Sequence, residues 1–126
     1  GMGEVVIGLD TSGSVLSALD EFGATIKNIA ASVKPSRVHI VYCDAAVNKV
    51  DVFERGQTLN FEAVGGGGTD FRPVFDYVAE HNIRPACLLY LTDMYGSFPE
   101  TAPSYPVVWC STTDSKGPFG DTLRIK

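Results

Sequence analysis

The chain has 126 residues, with 10 Lys and Arg against 15 Asp and Glu, and a formal net charge of −5. The acidic balance argues against a protein that binds nucleic-acid phosphates, because that function needs clustered Lys and Arg. No apolar run approaches the roughly 20 residues that span a bilayer, and no signal peptide is present, so we expect a cytoplasmic protein with neither nucleic acid nor membrane among its partners.

A length just over a hundred residues suits a single domain with one core, and we expect that domain to cover residues 3–126. Gly1-Met2 precede it as a cloning remnant or an excised domain boundary. The three cysteines lie in apolar runs without a Cys-x-x-Cys pair, which predicts buried free thiols; they are Cys43, Cys87 and Cys110.

The first half of the chain alternates strand and helix patterns. Val5–Leu9 is a short apolar run, typical of a strand buried on both faces. Apolar residues then recur in steps of three and four, which predicts a long amphipathic helix that ends at Lys34-Pro35; they are Val15, Leu19, Phe22, Ile26, Ile29 and Val33. Val38–Cys43 predicts a second strand, and Val47–Phe53 a third that is antiparallel to it, because the connection is too short for a crossover.

The second half begins with a loop, residues 54–69, that closes on four glycines. Apolar spacing from Phe71 to Val78 predicts a shorter helix, with Pro73 tolerated in its first turn. Three further apolar runs predict strands, the last of them on an edge: 86–92, 106–110 and 122–125.

This order predicts an α/β fold with a mostly parallel central sheet, one antiparallel strand and helices on both faces. The connections 93–105 and 111–121 lack helical periodicity, so one face of the sheet should be less covered than the other.

Carboxylates follow three of the predicted strands. Asp10, Asp44 and Asp93 come directly after the first, second and fourth strands, and Asp70 stands at the start of the second helix. The carboxyl ends of parallel strands meet in one crevice, so these side chains should converge there. Crowded carboxylates repel one another unless a cation lies among them, and oxygen ligands favour Mg²⁺, Mn²⁺ or Ca²⁺ over zinc or copper.

Three motifs together resemble a von Willebrand factor A (VWA) domain: Asp10-x-Ser12-x-Ser14 after the first strand, a Gly-Gly-Thr that ends at Thr69, and Thr92-Asp93 at the end of a later strand. The resemblance implies a compact Rossmann-like fold, here with reduced helix content, and a metal-ion-dependent adhesion site. The metal residues it implies are Asp10, Ser12, Ser14, Thr69 and Asp93.

In such a site neutral hydroxyls would bind the ion and leave one octahedral position for an Asp or Glu carboxylate of a protein partner. Asp44 and Asp70 would be either acceptors behind the ligands or added negative charge that holds the ion without a partner.

Residues 42–45, 66–73 and 91–96 are also similar to the VWA-like domain of a bacterial, metallopeptidase-associated branch. In that branch the domain stands C-terminal to a zinc-peptidase-like domain. The similarity implies a non-enzymatic C-terminal domain of a longer protein that recruits for, or regulates, the peptidase-like domain. The chain has no His-Glu-x-x-His motif, so any peptidase activity would belong to that missing region.

Simpler interpretations remain for several residues. Helix capping could account for Asp10 with its two serines, and for Thr69 with Asp70. Asp44 could be a turn residue. Tyr95 and Phe98, in the loop beside Asp93, are either a partner-facing rim or ordinary loop packing.

Two other functions are compatible with parts of the pattern. A Mg²⁺-dependent phosphohydrolase of the haloacid dehalogenase type would use Asp10 as its nucleophile, but it needs an Asp where Ser12 stands and a Lys near the phosphate. A metal-free scaffold would keep the fold and leave the site vacant.

Overall fold

The computed structural model describes residues 3–11, 15, 17–62 and 70–125, without the side chain of Val33. The elements described there follow the predicted order: β1 (Glu4–Asp10), α1 (Leu19–Val33), β2 (Arg37–Cys43), β3 (Val47–Glu54), α2 (Arg72–Glu80), β4 (Cys87–Thr92), β5 (Val107–Ser111) and β6 (Asp121–Arg124).

One six-stranded sheet runs through the molecule in the order β3-β2-β1-β4-β5-β6. The β2–β3 pair is antiparallel and the other four pairs are parallel, which confirms the predicted fold class. After β1 the chain places β2 and β3 on one side and β4 to β6 on the other. The order therefore reverses between β1 and β4, and open α/β sheets bind ligands in the crevice beyond the carboxyl ends of two such strands.

A helix covers each face of the sheet. Phe22 and Ile26 of α1 belong to the same buried cluster as Ile7 and Leu9 of β1. Val74 and Val78 of α2 pack in a second cluster that includes alternate strand residues such as Val6 and Leu88. Both faces of the central strands are buried in this way, which explains why their sequences are almost continuously apolar.

A turn interrupts the predicted first helix. Val15 is helical and fully buried, Ser17 and Ala18 form a turn in which the Ala18 N–H donates to the Val15 carbonyl at 2.9 Å, and α1 begins at Leu19. Ile29 is 36% exposed and lies outside the buried stripe. The predicted end is confirmed: Lys34 adopts a left-handed conformation (φ 50°) and its N–H donates to the Ala30 carbonyl.

The later strands leave the α1 face of the sheet partly open. Leu123 of β6 is paired in register with Cys110, on the α1 face, and is 48% exposed. The described connections 93–106 and 112–120 contain no helix, as expected from their lack of periodicity. The edge position of β6 is also confirmed. No helix in the described part of the chain is both long and apolar enough to cross a membrane.

Candidate functional site at the carboxyl edge of the sheet

Asp10, the last residue of β1, is a buried carboxylate at the point where the strand order reverses. Asp10 is only 1% exposed, and its Oδ2 accepts a hydrogen bond from the Thr92 Oγ1 at 2.8 Å. The preceding residues, Leu9 and Leu91, are paired in register, so Asp10 and Thr92 emerge from neighbouring parallel strands at the same level. Thr92 is held in turn by the Met94 N–H, which donates to its Oγ1 at 3.0 Å. The sheet itself therefore fixes the position of this carboxylate.

Thr11 continues the chain into the crevice and has an unusual side-chain environment. Its N–H donates to the Cys43 carbonyl at 3.2 Å, which extends the β1–β2 pairing by one residue. The side chain is fully buried, and its Oγ1 has no hydrogen-bond partner among the residues that the structure describes. A buried hydroxyl without a hydrogen-bond partner lowers the stability of the fold, unless a group other than the described residues forms a hydrogen bond with it.

Asp93 lies one residue beyond β4, half-buried, next to the Asp10–Thr92 hydrogen bond. The Asp93 Oδ1 accepts a hydrogen bond from the Tyr95 N–H at 3.0 Å, and its carbonyl accepts one from the Thr113 Oγ1 at 2.9 Å. These contacts hold the 93–95 turn close to the sheet edge.

Asp44 and Asp70 are each engaged by local partners. Hydrogen bonds from Asn48 and from the Ala46 N–H, the latter at 3.1 Å, lower the pKa of Asp44 below its ordinary value. The turn role that was the alternative for Asp44 is thus present in the structure. Arg72 donates from its Nε and its Nη2 to the two oxygens of Asp70, both at 2.9 Å, and thereby lowers the pKa of Asp70.

Asp70 also accepts the backbone N–H of Arg72 at 3.0 Å, so it satisfies one first-turn donor of α2 although Phe71 holds the N-cap position. Helix capping was the simpler interpretation of Asp70. It accounts for this hydrogen bond of the Asp70 side chain to the backbone.

A buried thiol ties these segments together. The Cys43 Sγ lies 3.4 Å from the carbonyl oxygen of Asp44 and 3.3 Å from that of Asp70, and donates to both. Burial, with smaller contributions from the nearby carboxylates of Asp44, Asp70 and Asp10, raises the pKa of the Cys43 thiol to about 11. The group therefore stays protonated and acts as a donor beneath the crevice.

The structure thus brings Asp10, Asp44 and Asp70 around Cys43, and places Asp93 beside Thr92 on the same edge. The remaining predicted metal residues, Ser12, Ser14 and Thr69, lie outside the described residues. Within the described ranges, no three His, Cys, Asp or Glu side chains are grouped so that they could hold a metal ion. The predicted ligand set contains two carboxylates and three hydroxyls. Because the three hydroxyl residues lie outside the described part of the chain, the complete set stays a prediction.

The two aromatic residues of the 93–98 loop have different environments. Tyr95 is 61% exposed, as a rim position requires. Phe98 instead packs against Phe71 and Trp109, with ring centroids 4.8 and 5.0 Å apart, in the cluster on the α2 face. Phe98 follows the alternative of ordinary packing.

Sequence reasoning did not single out the side chains of Thr11, Thr92 and Cys43 as parts of this site. Thr92 and Cys43 each end a strand, in the same row as Asp10. Strand register was the signal that could have found them, because residues at the same level of adjacent parallel strands point to the same face.

One comparison with known proteins identifies the kind of domain. A family model described as "VWA-like domain (DUF2201)" matches residues 5–126. The chain is also similar to an uncharacterized protein of Thermotoga maritima, with 29% identity over 92 residues, which are 72% of this chain and 23% of the relative. The chain spans about a quarter of the length of that relative. No solved structure matches the chain described here.

Proposed function

Because the chain belongs to the VWA-like domain family, we propose that it is a protein-interaction module whose binding depends on a divalent cation, with Mg²⁺ preferred and Mn²⁺ or Ca²⁺ able to replace it. The observation that carries this proposal is the buried carboxylate of Asp10, held by the Thr92 hydroxyl at the point where the strand order reverses. A cation beside a buried carboxylate stabilises the charged form of that carboxylate.

The chemistry of the site residues fits a hard cation. Asp10 and Asp93 offer carboxylate oxygens, and Ser12, Ser14 and Thr69 offer hydroxyl oxygens, all of which suit Mg²⁺ better than softer metals. The buried Thr11 Oγ1, which has no partner within the described residues, adds a polar atom one residue beyond Asp10. In this proposal the five residues of the predicted set hold the ion.

The neighbouring acids have a weaker claim on the ion. Asp70 is already bonded to Arg72 through both of its oxygens, and the Asp44 side chain closes its own turn. We assign both to the surroundings of the ligands, where they add negative potential and hold the loops in place.

The partner in this proposal is a protein that presents an Asp or Glu side chain. Hydroxyl ligands are neutral, so a Mg²⁺ ion held largely by them keeps positive charge and an exchangeable octahedral position for one carboxylate. Tyr95, exposed next to Asp93, lies where such a partner would contact the domain.

We further propose that the chain is not itself an enzyme and works beside a peptidase-like domain in a longer protein, which it regulates or for which it recruits a partner. Its similarity to only 23% of the Thermotoga maritima relative is consistent with a module inside a larger protein. Any peptidase activity would belong to another part of such a protein.

Isothermal titration of Mg²⁺ and Mn²⁺ into metal-stripped protein tests the metal site. We expect saturable binding that is lost in Asp10→Asn, a change that keeps the size of this buried side chain. The matched control is Asp121→Asn, because Asp121 is an exposed carboxylate at the start of β6, away from the carboxyl ends of the central strands. Thermal melting of both variants separates a lost ligand from a lost fold.

The alternatives give different results in the same preparation. A metal-free scaffold predicts no heat with either ion and partner binding that survives Asp10→Asn. A phosphohydrolase predicts turnover of an aryl phosphate that requires Mg²⁺ and Asp10. Either result would overturn the proposed function.

The carboxylate partner is tested with Mn²⁺ as a probe of bound water. We expect an Asp-containing peptide to lower the water proton relaxation caused by protein-bound Mn²⁺, because the side chain takes the place of a water. The same peptide with Asn in place of Asp is the control and should leave the relaxation unchanged.

A further inference from the structure

A groove of about 460 Å³ lies between α1 and residues 54–59. Its lining includes the C-terminal end of α1, the start of β2 and the end of β3. These segments lie at the end of the sheet opposite to the Asp10 crevice, so the groove is separate from the proposed metal site.

One face of α1 forms a wall of the groove. Lys27, Ala30 and Ala31 line it, at the spacing of i, i+3 and i+4, which places them in one stripe along the helix, and Lys34, the residue that follows the helix, lines the groove next to them. The two alanines in the middle leave the space that larger side chains would fill. The lysines at the two ends can lay their aliphatic stems along apolar surface and keep their ammonium groups at the opening.

Four of the nine other described residues that line the groove are large and apolar. Val38 and Leu59 are buried, and Phe53 packs against the same core. Pro35, which follows the helix, adds a further apolar contact. They form one compartment, whereas a peptide bound as an extended strand needs a row of pockets for alternate side chains.

The charge around the groove is opposite to that of the whole molecule. The net charge of the chain is −5, yet the lining contains three cationic side chains, Lys27, Lys34 and Arg55. None of the three has an ion-pair partner among the described residues. The lining carboxylate, Glu54, is bonded to the Arg37 Nε at 2.9 Å and so is already paired.

We propose that this groove binds an amphiphilic carboxylate, a medium-chain fatty acid anion, with its alkyl chain against the apolar lining and its carboxylate among Lys27, Lys34 and Arg55. The volume lies within the range of roughly 300–1,000 Å³ that is usual for small-molecule sites. Transfer of the alkyl chain out of water supplies the affinity, and the three cations select the sign of the head group.

The test uses the whole chain, labelled with ¹⁵N, and decanoate kept below its micellar concentration. Titration followed by amide chemical shifts should give saturable changes at α1 and residues 54–59. Decyltrimethylammonium has a chain of the same length with the opposite charge, and we expect it to bind about tenfold more weakly or not at all.

Two variants and one control locate the site. Ala31→Phe fills the groove and should abolish the shifts, and Ala31 is exposed, so the change should leave the fold intact. The pair Lys27→Glu and Lys34→Glu should weaken decanoate binding about tenfold. Lys116→Glu makes the same kind of change at an exposed lysine outside the groove and should leave the affinity as it is.

Three results would overturn the proposal. One is the absence of saturable shifts with decanoate. Another is equal binding of decanoate and decyltrimethylammonium by the wild type, which would reduce the groove to an unselective apolar surface. The last is binding that survives Ala31→Phe or maps to residues other than those of the groove.

Discussion

At the scale of single residues, the hydrogen bond from Thr92 to Asp10 is the contact that joins the two central strands at the candidate site. Thr92→Val keeps the shape of the side chain and removes its hydroxyl. That hydroxyl donates a hydrogen bond to the Asp10 Oδ2 and accepts one from the Met94 N–H. Because both partners are buried, we expect a loss of about 1–3 kcal/mol in the free energy of unfolding. Urea denaturation measures it.

The matched control for that variant is Thr101→Val, at an exposed position, which should change the free energy of unfolding by less than about 0.5 kcal/mol. Thr92→Ser should recover most of the stability, since it restores the hydroxyl. If Thr92→Val is as stable as the wild type, the hydrogen bond does not hold the carboxylate in solution.

The ion pair between Arg72 and Asp70 gives a prediction about pH. In the folded protein Arg72 lowers the pKa of Asp70, so the pair contributes stability above the ordinary Asp pKa and loses it as the pH falls through the lowered value. Arg72→Gln should raise the pKa of Asp70 towards its ordinary range. It should also reduce the dependence of stability on pH in the acid region.

The measurement is a titration of the Asp70 carboxyl carbon by NMR in both proteins. Asp44 is the internal control, because Asn48 and the Ala46 N–H, and not Arg72, lower its pKa. An unchanged Asp70 pKa in Arg72→Gln would contradict the assignment of the shift to the guanidinium.

At the scale of elements, β1 depends on a residue without a side chain. A Cβ at Gly8 would lie 2.7 Å from the Cδ2 of Tyr90, a fully buried ring on the adjacent strand. Since the core around that ring is closely packed, Gly8→Ala should lower the free energy of unfolding by about 1–3 kcal/mol. Thermal or urea unfolding would show it.

Gly3→Ala is the control for this substitution, because a Cβ at Gly3 meets no atom within 4 Å. A Gly8→Ala protein with wild-type stability would mean that the sheet shifts to make room, against the close packing described here.

The elements themselves were largely predictable from the sequence. Apolar runs and helical periodicity locate strands β1 to β6 and helices α1 and α2, and the short link after Cys43 predicts the antiparallel β3. The turn at Ser17 and Ala18 was not predictable, because Val15 before it is helical and continues the same spacing. Periodicity records which residues are buried and does not detect a short break between helical segments.

The candidate site was predictable in part. Asp10 and Asp93 lie at the expected strand ends, because parallel topology brings those ends together. The contacts of Thr92 and the inward packing of Phe98 were not predictable. They depend on strand register and on the path of a loop, and neither leaves a periodic pattern in the sequence.

At the scale of the whole molecule, the three free cysteines report how often the fold opens. Cys43 and Cys110 are each 2% exposed, and burial raises their pKa values to about 11 and about 12. Cys87 is only partly buried. In an alkylation experiment at pH 8, we expect one thiol to react in the native state and the other two to react only as the molecule unfolds.

Mass spectrometry of the labelled peptides identifies the reactive thiol, and Cys87→Ser should remove the fast phase alone. Alkylation of Cys43 as fast as that of Cys87 would show that the edge carrying Asp44 and Asp70 opens without global unfolding.

The strand order also bears on when the site forms during folding. β2 and β3 are joined by a short link and can pair early, whereas the Asp10–Thr92 hydrogen bond joins residues 82 positions apart. Contacts of such long range require a large loop to close and form late in folding. A growing polypeptide that has not yet reached Thr92 can hold the β2–β3 hairpin but only one side of the crevice. Ligand binding at this edge therefore marks a chain whose central strands have already joined.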